Sequence, residues 1–311
     1  MCEIVFFLLI AFKTMSKQFV IYDSEDRVSL RDSDGKVLVA LDLPALATAS
    51  FSLDGSHMAY IPGKTVSKLC ICDCETKKCV RQFQYSSIYW VRQMVWSPDG
   101  VHVATGTYSE YLYIWNYVTG NCLELVGHQN WVRTICYSPD GTHILSGSDD
   151  TTARIWDTRT GVCESVLKGH DHYVIHVNYF PDGKHAVTSG WDCQVLVWDL
   201  ETKKPIATLL TLNLKDVITH TCYLPEYRYL VGLSMSCKVY IWDIDSQTCV
   251  KIWTHGRADS LGFAHSGRSI FIAETACALN IPFLSINKIL AGKTPTQLSD
   301  PRIWQAIREL V

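Results

Sequence analysis

The chain has 311 residues, of which 48% are hydrophobic and 19% are charged, and its formal net charge is −3. This composition is typical of a globular protein with a sizeable core. A general nucleic-acid binder needs a basic face to neutralise phosphates, so the slightly negative charge argues against nucleic acid as a partner.

An apolar run, Ile4 to Phe12, lies near the start of the chain. It is too short to span a bilayer, and it lacks both a basic region before it and a small-x-small cleavage motif after it. Counted back by the repeat period described below, the run aligns with the first strand of later repeats. We therefore expect a buried β-strand and no membrane contact, with a targeting signal as the open alternative.

A short extended motif returns seven times along the chain, at intervals of 41 to 44 residues. The copies are Leu-Arg-Asp at 30–32, Ile-Cys-Asp at 71–73, Ile-Trp-Asn at 114–116, Ile-Trp-Asp at 155–157, Val-Trp-Asp at 197–199, Ile-Trp-Asp at 241–243 and the degraded Pro282-Phe283. A period of about 40–45 residues ending in Trp-Asp is typical of a repeat that forms one four-stranded propeller blade. The sequence therefore predicts an all-β fold, a seven-bladed β-propeller of four-stranded antiparallel blades over residues 1–292.

The clearest copy, Gly127 to Leu167, indicates how one blade forms. Its alternating apolar positions predict strands at Val132–Tyr137, His143–Ser148, Ala153–Trp156 and Cys163–Leu167. A Ser-Pro-Asp-Gly turn at 138–141 separates the first two strands, because proline presets the backbone and glycine accepts the geometry at the end of the turn. Related turns recur at 52–55, 97–100 and 180–183.

The thirteen cysteines suggest a disulfide or zinc scaffold until the repeat is considered. Four of them occupy one repeat position at the start of the outer strand: Cys79, Cys122, Cys163 and Cys249. In the densest group, Cys70, Cys72 and Cys74 share one face of a strand, which is a poor start for a tetrahedral zinc site. We expect free thiols, no metal and a reducing compartment, the cytoplasm or the nucleus.

Residues 293–311 form a separate tail in this interpretation. Asp300 before Pro301 is a helix-start signal. The apolar residues that follow share one helical face: Ile303, Trp304, Ile307 and Leu310. The pattern predicts a short C-terminal helix over residues 301–310, which either caps the underside of the ring or binds a partner.

The repeats resemble the WD-repeat family, and the resemblance covers residues 4 to about 292. In that family a histidine, a serine or threonine, an aspartate and the tryptophan form a buried hydrogen-bonded tetrad within a blade. The resemblance implies complete tetrads in blades four and five, namely His128, Ser146, Asp150 and Trp156, and His170, Thr188, Asp192 and Trp198. The tetrad accounts for His128, Ser146 and Asp150 without a hydrolase triad.

Other blades depart from the family pattern. Their aspartate position holds Glu25, Val66, Ser109, Ser236 and Cys277, so we expect these blades to be less rigid. Many family members also complete the last blade with their first strand, whereas here blade seven supplies its own fourth strand around Lys288 to Ala291. Two explanations stay open. Either the ring closes by side-chain packing alone, or the start of the chain differs from that of the ancestral protein.

Partner contacts in WD-repeat proteins concentrate at two positions at the mouth of the inner strand and one just before the tetrad aspartate. The resemblance implies a partner-binding patch over blades three to five, with one residue from blade six: Trp90, Arg92, Tyr108, Trp131, Arg133, Asp149, Tyr173, Trp191 and Met235. Tryptophan, tyrosine and arginine carry much of the binding energy at protein interfaces. We expect the aromatic residues to be apolar anchors and the two arginines to be planar donors.

The resemblance implies a non-catalytic scaffold that binds a protein or peptide partner, within a multiprotein complex, on the top face of blades three to five. A second resemblance, in Ile144 to Arg159, is to the box of WD-repeat substrate receptors of cullin-RING ubiquitin ligases. A receptor that uses Trp156-Asp157-Thr158-Arg159 is therefore the alternative. Because no phosphate loop, activated nucleophile or metal triad is recognisable, we expect no catalytic residues, no cofactor and no small-molecule substrate.

Overall fold

All regular secondary structure that the computed structural model describes is β-strand. The described residues are 18–22, 27–32, 37–42, 46–62, 68–84, 91–211, 216–224, 229–236, 238–254, 260–263, 269–273 and 278–282. Three predicted secondary-structure elements lie outside these ranges: the strand within residues 4–12, the strand around 288–291 and the helix over 301–310.

The strands form seven antiparallel sheets, numbered here in chain order. Sheet 1 contains β1 (Gln18–Tyr22), β2 (Arg27–Asp32) and β3 (Val37–Asp42). Sheet 2 contains β4 (Leu46–Phe51), β5 (His57–Pro62), β6 (Lys68–Asp73) and β7 (Cys79–Gln84). Sheet 3 contains β8 (Val91–Trp96), β9 (His102–Thr107), β10 (Tyr111–Asn116) and β11 (Cys122–Val126).

Sheet 4 contains β12 (Val132–Tyr137), β13 (His143–Ser148), β14 (Thr152–Asp157) and β15 (Cys163–Lys168). Sheet 5 contains β16 (Val174–Tyr179), β17 (His185–Gly190), β18 (Gln194–Asp199) and β19 (Lys204–Leu210). Sheet 6 contains β20 (Ile218–Leu224), β21 (Tyr229–Ser234), β22 (Lys238–Asp243) and β23 (Thr248–Thr254). Sheet 7 contains β24 (Ser260–Phe263), β25 (Ser269–Ala273) and β26 (Ala278–Pro282).

Each four-stranded sheet is a meander in which neighbours along the chain pair side by side. The prediction of four-stranded antiparallel units is confirmed for sheets 2 to 6, and the four strands predicted in sheet 4 agree with β12–β15 to within one residue. Sheets 1 and 7 each show three strands, and the fourth strand predicted for each lies in residues outside the described ranges. We call the first strand of a four-stranded sheet its inner strand and the last its outer strand.

The Ser-Pro-Asp-Gly turn closes the first hairpin of a sheet. In sheet 4 the amide of Gly141 donates to the carbonyl of Ser138 at 2.9 Å, and Gly141 has a φ of 75°, a left-handed conformation that favours glycine. Hydrogen bonds from Ser138 Oγ and the Thr142 amide stabilise the carboxylate of Asp140 and lower its pKa to about 2.

A β-bulge interrupts the inner strand at the same place in five sheets. The register between the first two strands shifts between Leu46 and Thr48, Val91 and Gln93, Val132 and Thr134, Val174 and His176, and Ile218 and His220. A bulge leaves its extra residue out of the pairing and changes the direction of that residue's side chain. In sheets 3 and 4 the extra residues are Arg92 and Arg133.

The hydrophobic core lies between the sheets, which pack face to face in chain order. The inner strands of sheets 2 to 7 contact one another in succession. Trp156 of sheet 4 is fully buried among Leu112, Ile114 and Leu125 of sheet 3. The sheets approach closely, since a Cβ added at Gly147 would lie 2.7 Å from Val174 Cγ1 of the next sheet.

A repeated hydrogen bond joins the inner strands of sheets 3, 4 and 5 to the inner strand of the sheet that follows. Gln93 Oε1 accepts from the Ile135 amide at 2.8 Å, Thr134 Oγ1 from the Val177 amide at 3.4 Å, and His176 Nε2 from the Thr221 amide at 3.0 Å. The three acceptor side chains occupy the position after the bulge residue in sheets 3, 4 and 5. Each satisfies a backbone donor that the neighbouring strand would otherwise bury without a partner.

Candidate functional site

Sheets 4 and 5 each contain a buried chain of hydrogen bonds through the four tetrad residues. In sheet 4, Trp156 Nε1 donates to Ser146 Oγ at 2.8 Å, and His128 lies 2.7 Å from both Ser146 Oγ and Asp150 Oδ2. Sheet 5 repeats the arrangement with the same distances through Trp198, Thr188, His170 and Asp192. The histidine thus ties the loop before the inner strand to the loop between the second and third strands.

The protonation of the sheet 4 tetrad follows from its surroundings. Burial lowers the pKa of His128 despite the nearby Asp150, so the imidazole is neutral. Burial also opposes ionisation of Asp150, but hydrogen bonds from His128 and Thr152 outweigh it and lower the pKa of that carboxyl. A neutral ring with its proton on Nδ1 donates to Asp150 and accepts from Ser146, so every group in the chain has a partner. The group stabilises the fold, and all its hydrogen-bonding capacity is used within the sheet.

Sheet 6 has a different polar network, which the sequence interpretation missed. The buried carboxylate of Asp216, which precedes the inner strand, accepts from Ser236 Oγ at 2.6 Å and from the Tyr240 hydroxyl at 2.7 Å. Burial disfavours the charge, but these hydrogen bonds outweigh it and lower the pKa of Asp216. A carboxylate thus lies before the inner strand, on the side where sheets 4 and 5 have a histidine, and the hydroxyl of Ser236 holds the position of the tetrad aspartate. The sequence from 211 to 217 lacks the Gly-His pair of the repeat, so alignment could not reveal this difference.

The sequence-predicted partner residues lie where two loops meet at one end of the sheets. We call this end the top face, where inner strands begin and second strands end. The amides of Asp149, Trp191 and Met235 donate to the carbonyls of Trp131, Tyr173 and Val217 at 2.9, 2.9 and 2.8 Å. These backbone bonds hold the positions together in sheets 4, 5 and 6.

An aromatic cluster, consisting of Tyr108, Trp131, Tyr173 and Trp191, extends over the top face of sheets 3, 4 and 5. Trp131 is 45% exposed, Tyr173 36% and Trp191 48%. The Tyr108 and Trp131 rings meet edge to face with centroids 5.2 Å apart, which joins sheet 3 to sheet 4. His172 lies between the sheet 5 members, 4.4 Å from the Tyr173 ring and 6.3 Å from that of Trp191.

Arg133 lies at the centre of the cluster. Its guanidinium carbon is 5.4 Å from the Trp131 ring centroid and 5.8 Å from that of Tyr173, distances at which cation–π attraction operates. Arg133 Nε and Nη2 donate to the two carboxylate oxygens of the buried Asp149 at 2.6 and 2.7 Å. These hydrogen bonds raise the pKa of Arg133 against the opposing effect of burial. Two of its nitrogens are therefore engaged within the protein, and Arg133 holds the rings on either side of it.

Arg92 occupies the same bulge position in sheet 3 and has a different environment. In the described part of the chain its Nε is buried and has no hydrogen-bond partner. Tyr108 stands in the position that Asp149 holds one sheet later, so sheet 3 lacks the matching carboxylate. Of the other predicted residues, Met235 is 44% exposed on sheet 6, and Trp90 lies outside the described residues.

The remaining sequence predictions concern metal, membrane and ligase binding. Nine cysteines of the described part form no disulfide bond, and no group of three or more metal-binding side chains is found among the described residues. Within the same ranges no helix has the length and hydrophobicity to cross a membrane. Arg159 is exposed after the end of β14 opposite the aromatic cluster, and its amide donates to Asp157 Oδ1.

A family model described as "WD domain, G-beta repeat" matches three consecutive segments, residues 77–116, 120–157 and 161–199. A search of curated proteins found no significant match. Each matched segment begins at the outer strand of one sheet and ends at the third strand of the next.

Proposed function

Because residues 77–199 are three consecutive WD repeats, we propose that this chain is a non-catalytic interaction scaffold. A protein or peptide partner binds the top face of sheets 3 to 5, on a ring of seven blades. The observation that carries the proposal is the aromatic cluster, three of whose four side chains are each at least a third exposed although they lie side by side. WD repeats generally mediate contacts between proteins. The setting we infer is a multiprotein complex in the cytoplasm or the nucleus.

The surface has the composition and stiffness of an interface centre. A group of large aromatic residues exposed to solvent is energetically unfavourable, and burial by a partner removes this cost. Here they are also held in place, since Tyr108 and Arg133 contact the Trp131 ring from two sides. Side chains that are already ordered lose little conformational entropy on binding, and this favours affinity. Among the described residues of this surface no arrangement of nucleophile and base is found, and this agrees with binding without catalysis.

The test is the double variant Trp131→Ala/Trp191→Ala. Partners captured by the purified wild-type chain would be identified by mass spectrometry and their crosslinks assigned to sheets. The double variant should lose the partner, because truncation of a central aromatic residue costs about 2 kcal/mol or more. Its thermal midpoint should barely change, since both side chains are exposed.

The matched control is Val118→Ala/Val162→Ala, which removes two apolar side chains, 57% and 58% exposed, at the opposite end of the sheets. It should retain the partner, as should Arg159→Ala. If the tryptophan variant retains every partner, or if crosslinks gather away from sheets 3 to 5, the proposal is wrong.

A further inference from the structure

The repeats allow Arg92 to be compared with an internal counterpart, Arg133. Both are the extra residue of the inner-strand bulge, in sheets 3 and 4. Arg133 has a carboxylate in its own repeat, since Asp149 accepts two hydrogen bonds from it. The equivalent residue for Arg92 is Tyr108, whose hydroxyl cannot neutralise a guanidinium at neutral pH. The comparison shows which chemical group sheet 3 lacks.

Arg92 is half-buried, which makes the missing partner costly. Its Nε is shielded from water and has no acceptor in the described part of the chain. A buried charged donor without an acceptor has lost its hydration and gained nothing in return. A charge-assisted hydrogen bond compensates for that loss. Native proteins retain few such groups, and each one calls for a ligand, an ion or a functional explanation.

Within the described residues, no carboxylate accepts a hydrogen bond from Arg92 Nε. The His220 imidazole is buried, which lowers its pKa to about 4, and the nearby positive charge of Arg92 contributes to this shift. The His176 and His220 rings are tilted against each other with centroids 5.6 Å apart, and burial followed by the charge of a protonated His220 lowers the pKa of His176 to about 3. Both rings are therefore neutral at physiological pH. Arg92 of sheet 3 thus lies close enough to the inner strand of sheet 6 for its charge to act on His220.

We propose that Arg92 binds the carboxylate of an aspartate or glutamate side chain in the partner. The carboxylate would pair with Arg92 as Asp149 pairs with Arg133, while an apolar residue beside it in the partner covers Trp131. This inference rests on the proposed function, and it specifies the partner as an acidic peptide segment with a neighbouring apolar side chain. The planar guanidinium group matches the two oxygens of a carboxylate.

The charge of the chain supports this choice over nucleic acid. Phosphate backbones are bound by several cations together, and the chain carries a net charge of −3. Arg133, the nearest counterpart of Arg92, is already neutralised by Asp149. A single arginine whose Nε has no partner in the described part of the chain fits one acidic residue better than a run of phosphates.

The experiment begins with a displayed library of random short peptides selected on the purified wild-type chain. Selected peptides should share an aspartate or glutamate next to an apolar residue. Synthetic copies with amidated C-termini should lose about tenfold or more in affinity when the acidic residue becomes its amide, as expected for a charged hydrogen-bonded pair. On Arg92→Gln the same peptide change should have almost no effect.

A second variant tests the missing carboxylate directly. Tyr108→Asp supplies an internal carboxylate to Arg92 and should weaken acidic peptides about tenfold more than the uncharged control Tyr108→Asn. In the free chain the Tyr108→Asp change should also raise the pKa of His220, measured by NMR titration, because it neutralises the charge of Arg92. Thermal unfolding checks that each variant is folded.

The outcomes separate this inference from the proposed function. Loss of peptides on Trp131→Ala/Trp191→Ala, with equal affinity for acid and amide forms, would overturn the role of Arg92 and leave the scaffold intact. Binding that requires a free C-terminus, or labelled single-stranded RNA that binds wild type and fails on Arg92→Gln, would also overturn it. A selection that yields no peptides contradicts both proposals.

Discussion

At the scale of single residues, the role of Arg133 is to hold the side chains around it in place. The buried Asp149 fixes two of its nitrogens, and the remaining surface of the guanidinium contacts Trp131 and Tyr173. An arginine on a flexible stem thereby becomes a rigid spacer between two rings. The exposed aromatic cluster consequently depends on a buried ion pair.

Asp149→Asn tests this dependence. The amide leaves Arg133 without its counter-charge, and we expect the free energy of unfolding to fall by about 2 kcal/mol, as for other half-buried charged pairs. Urea unfolding measures the change. The control is Asp171→Asn, an exposed aspartate in a neighbouring loop, which should change the stability by less than about 0.5 kcal/mol. Equal effects in both variants would contradict the role of the pair.

The two inner-strand histidines make stability depend on pH. The pKa values of His176 and His220 in the folded state are about 3 and about 4, against an ordinary value of 6.5, and burial is the main cause for both. Between pH 6.5 and about 4 the unfolded chain therefore binds more protons than the folded one. The free energy of unfolding is at its full value above pH 6.5. It falls on acidification by about 1.4 kcal/mol per pH unit for each histidine.

His176→Gln/His220→Gln should flatten this dependence. Glutamine keeps an acceptor at the position, as Gln93 shows in sheet 3, but it takes up no proton in this range. Urea unfolding over a series of pH values from neutral to about 4 measures the slope. The reverse change, Gln93→His, should steepen it. An unchanged slope in the double variant would show that other groups govern acid sensitivity.

How far the site could be predicted depends on how strictly each residue follows the repeat. Trp131, Tyr173 and Trp191 occupy fixed positions before or after a strand, so alignment alone indicates the end of the sheets at which they lie. The pairing of Arg133 with Asp149 was not predicted, although both residues were singled out. It depends on the bulge, which changes side-chain direction without a clear sequence signal. The absence of an equivalent carboxylate for Arg92 became meaningful only after that pair was seen.

At the scale of single sheets, the buried polar networks differ between sheets whose strands have the same arrangement. Sheets 4 and 5 have complete tetrads, and sheet 6 uses the buried Asp216 instead. In sheet 3, Trp115 Nε1 donates to Thr105 Oγ1 at 3.0 Å, and Ser109 holds the position of the tetrad aspartate. Networks whose members all have partners stiffen a sheet, because opening it would leave several buried groups unpaired at once.

We expect amide hydrogen exchange to be slowest in sheets 4 and 5. Their tetrads tie the loops at the top face to the buried third strand, so local opening requires breaking the whole chain of hydrogen bonds. Exchange followed by mass spectrometry compares the sheets in one molecule. Ser146→Ala serves as an internal comparison, since it should accelerate exchange in sheet 4 and leave sheet 5 unchanged. Slower exchange in sheet 2 than in sheet 4 would contradict the expectation.

At the scale of the whole molecule, the sheets resemble one another in backbone and differ at the top face. The inner strands of sheets 2 to 7 follow one another in contact, and stability in such arrays is approximately a sum of terms between neighbours. The exposed side chains of the cluster, Trp131, Tyr173 and Trp191, belong to sheets 4 and 5. The repeated architecture therefore supplies a common frame, and a few side chains at two positions per repeat distinguish one sector of it.

The offset between the matched segments and the sheets has a genetic consequence. Each segment, such as residues 120–157, contributes the outer strand of one sheet and three strands of the next. If such a segment were deleted, the preceding sheet would lose its outer strand and receive the equivalent strand of the next segment. If the segment were duplicated, the extra copy would add one sheet. The affected four-stranded sheets would keep four strands, and no third strand would be left as a new unpaired edge. A matched segment thus straddles two sheets, so the gain or loss of one segment would change the number of sheets without removing a strand from any of the others.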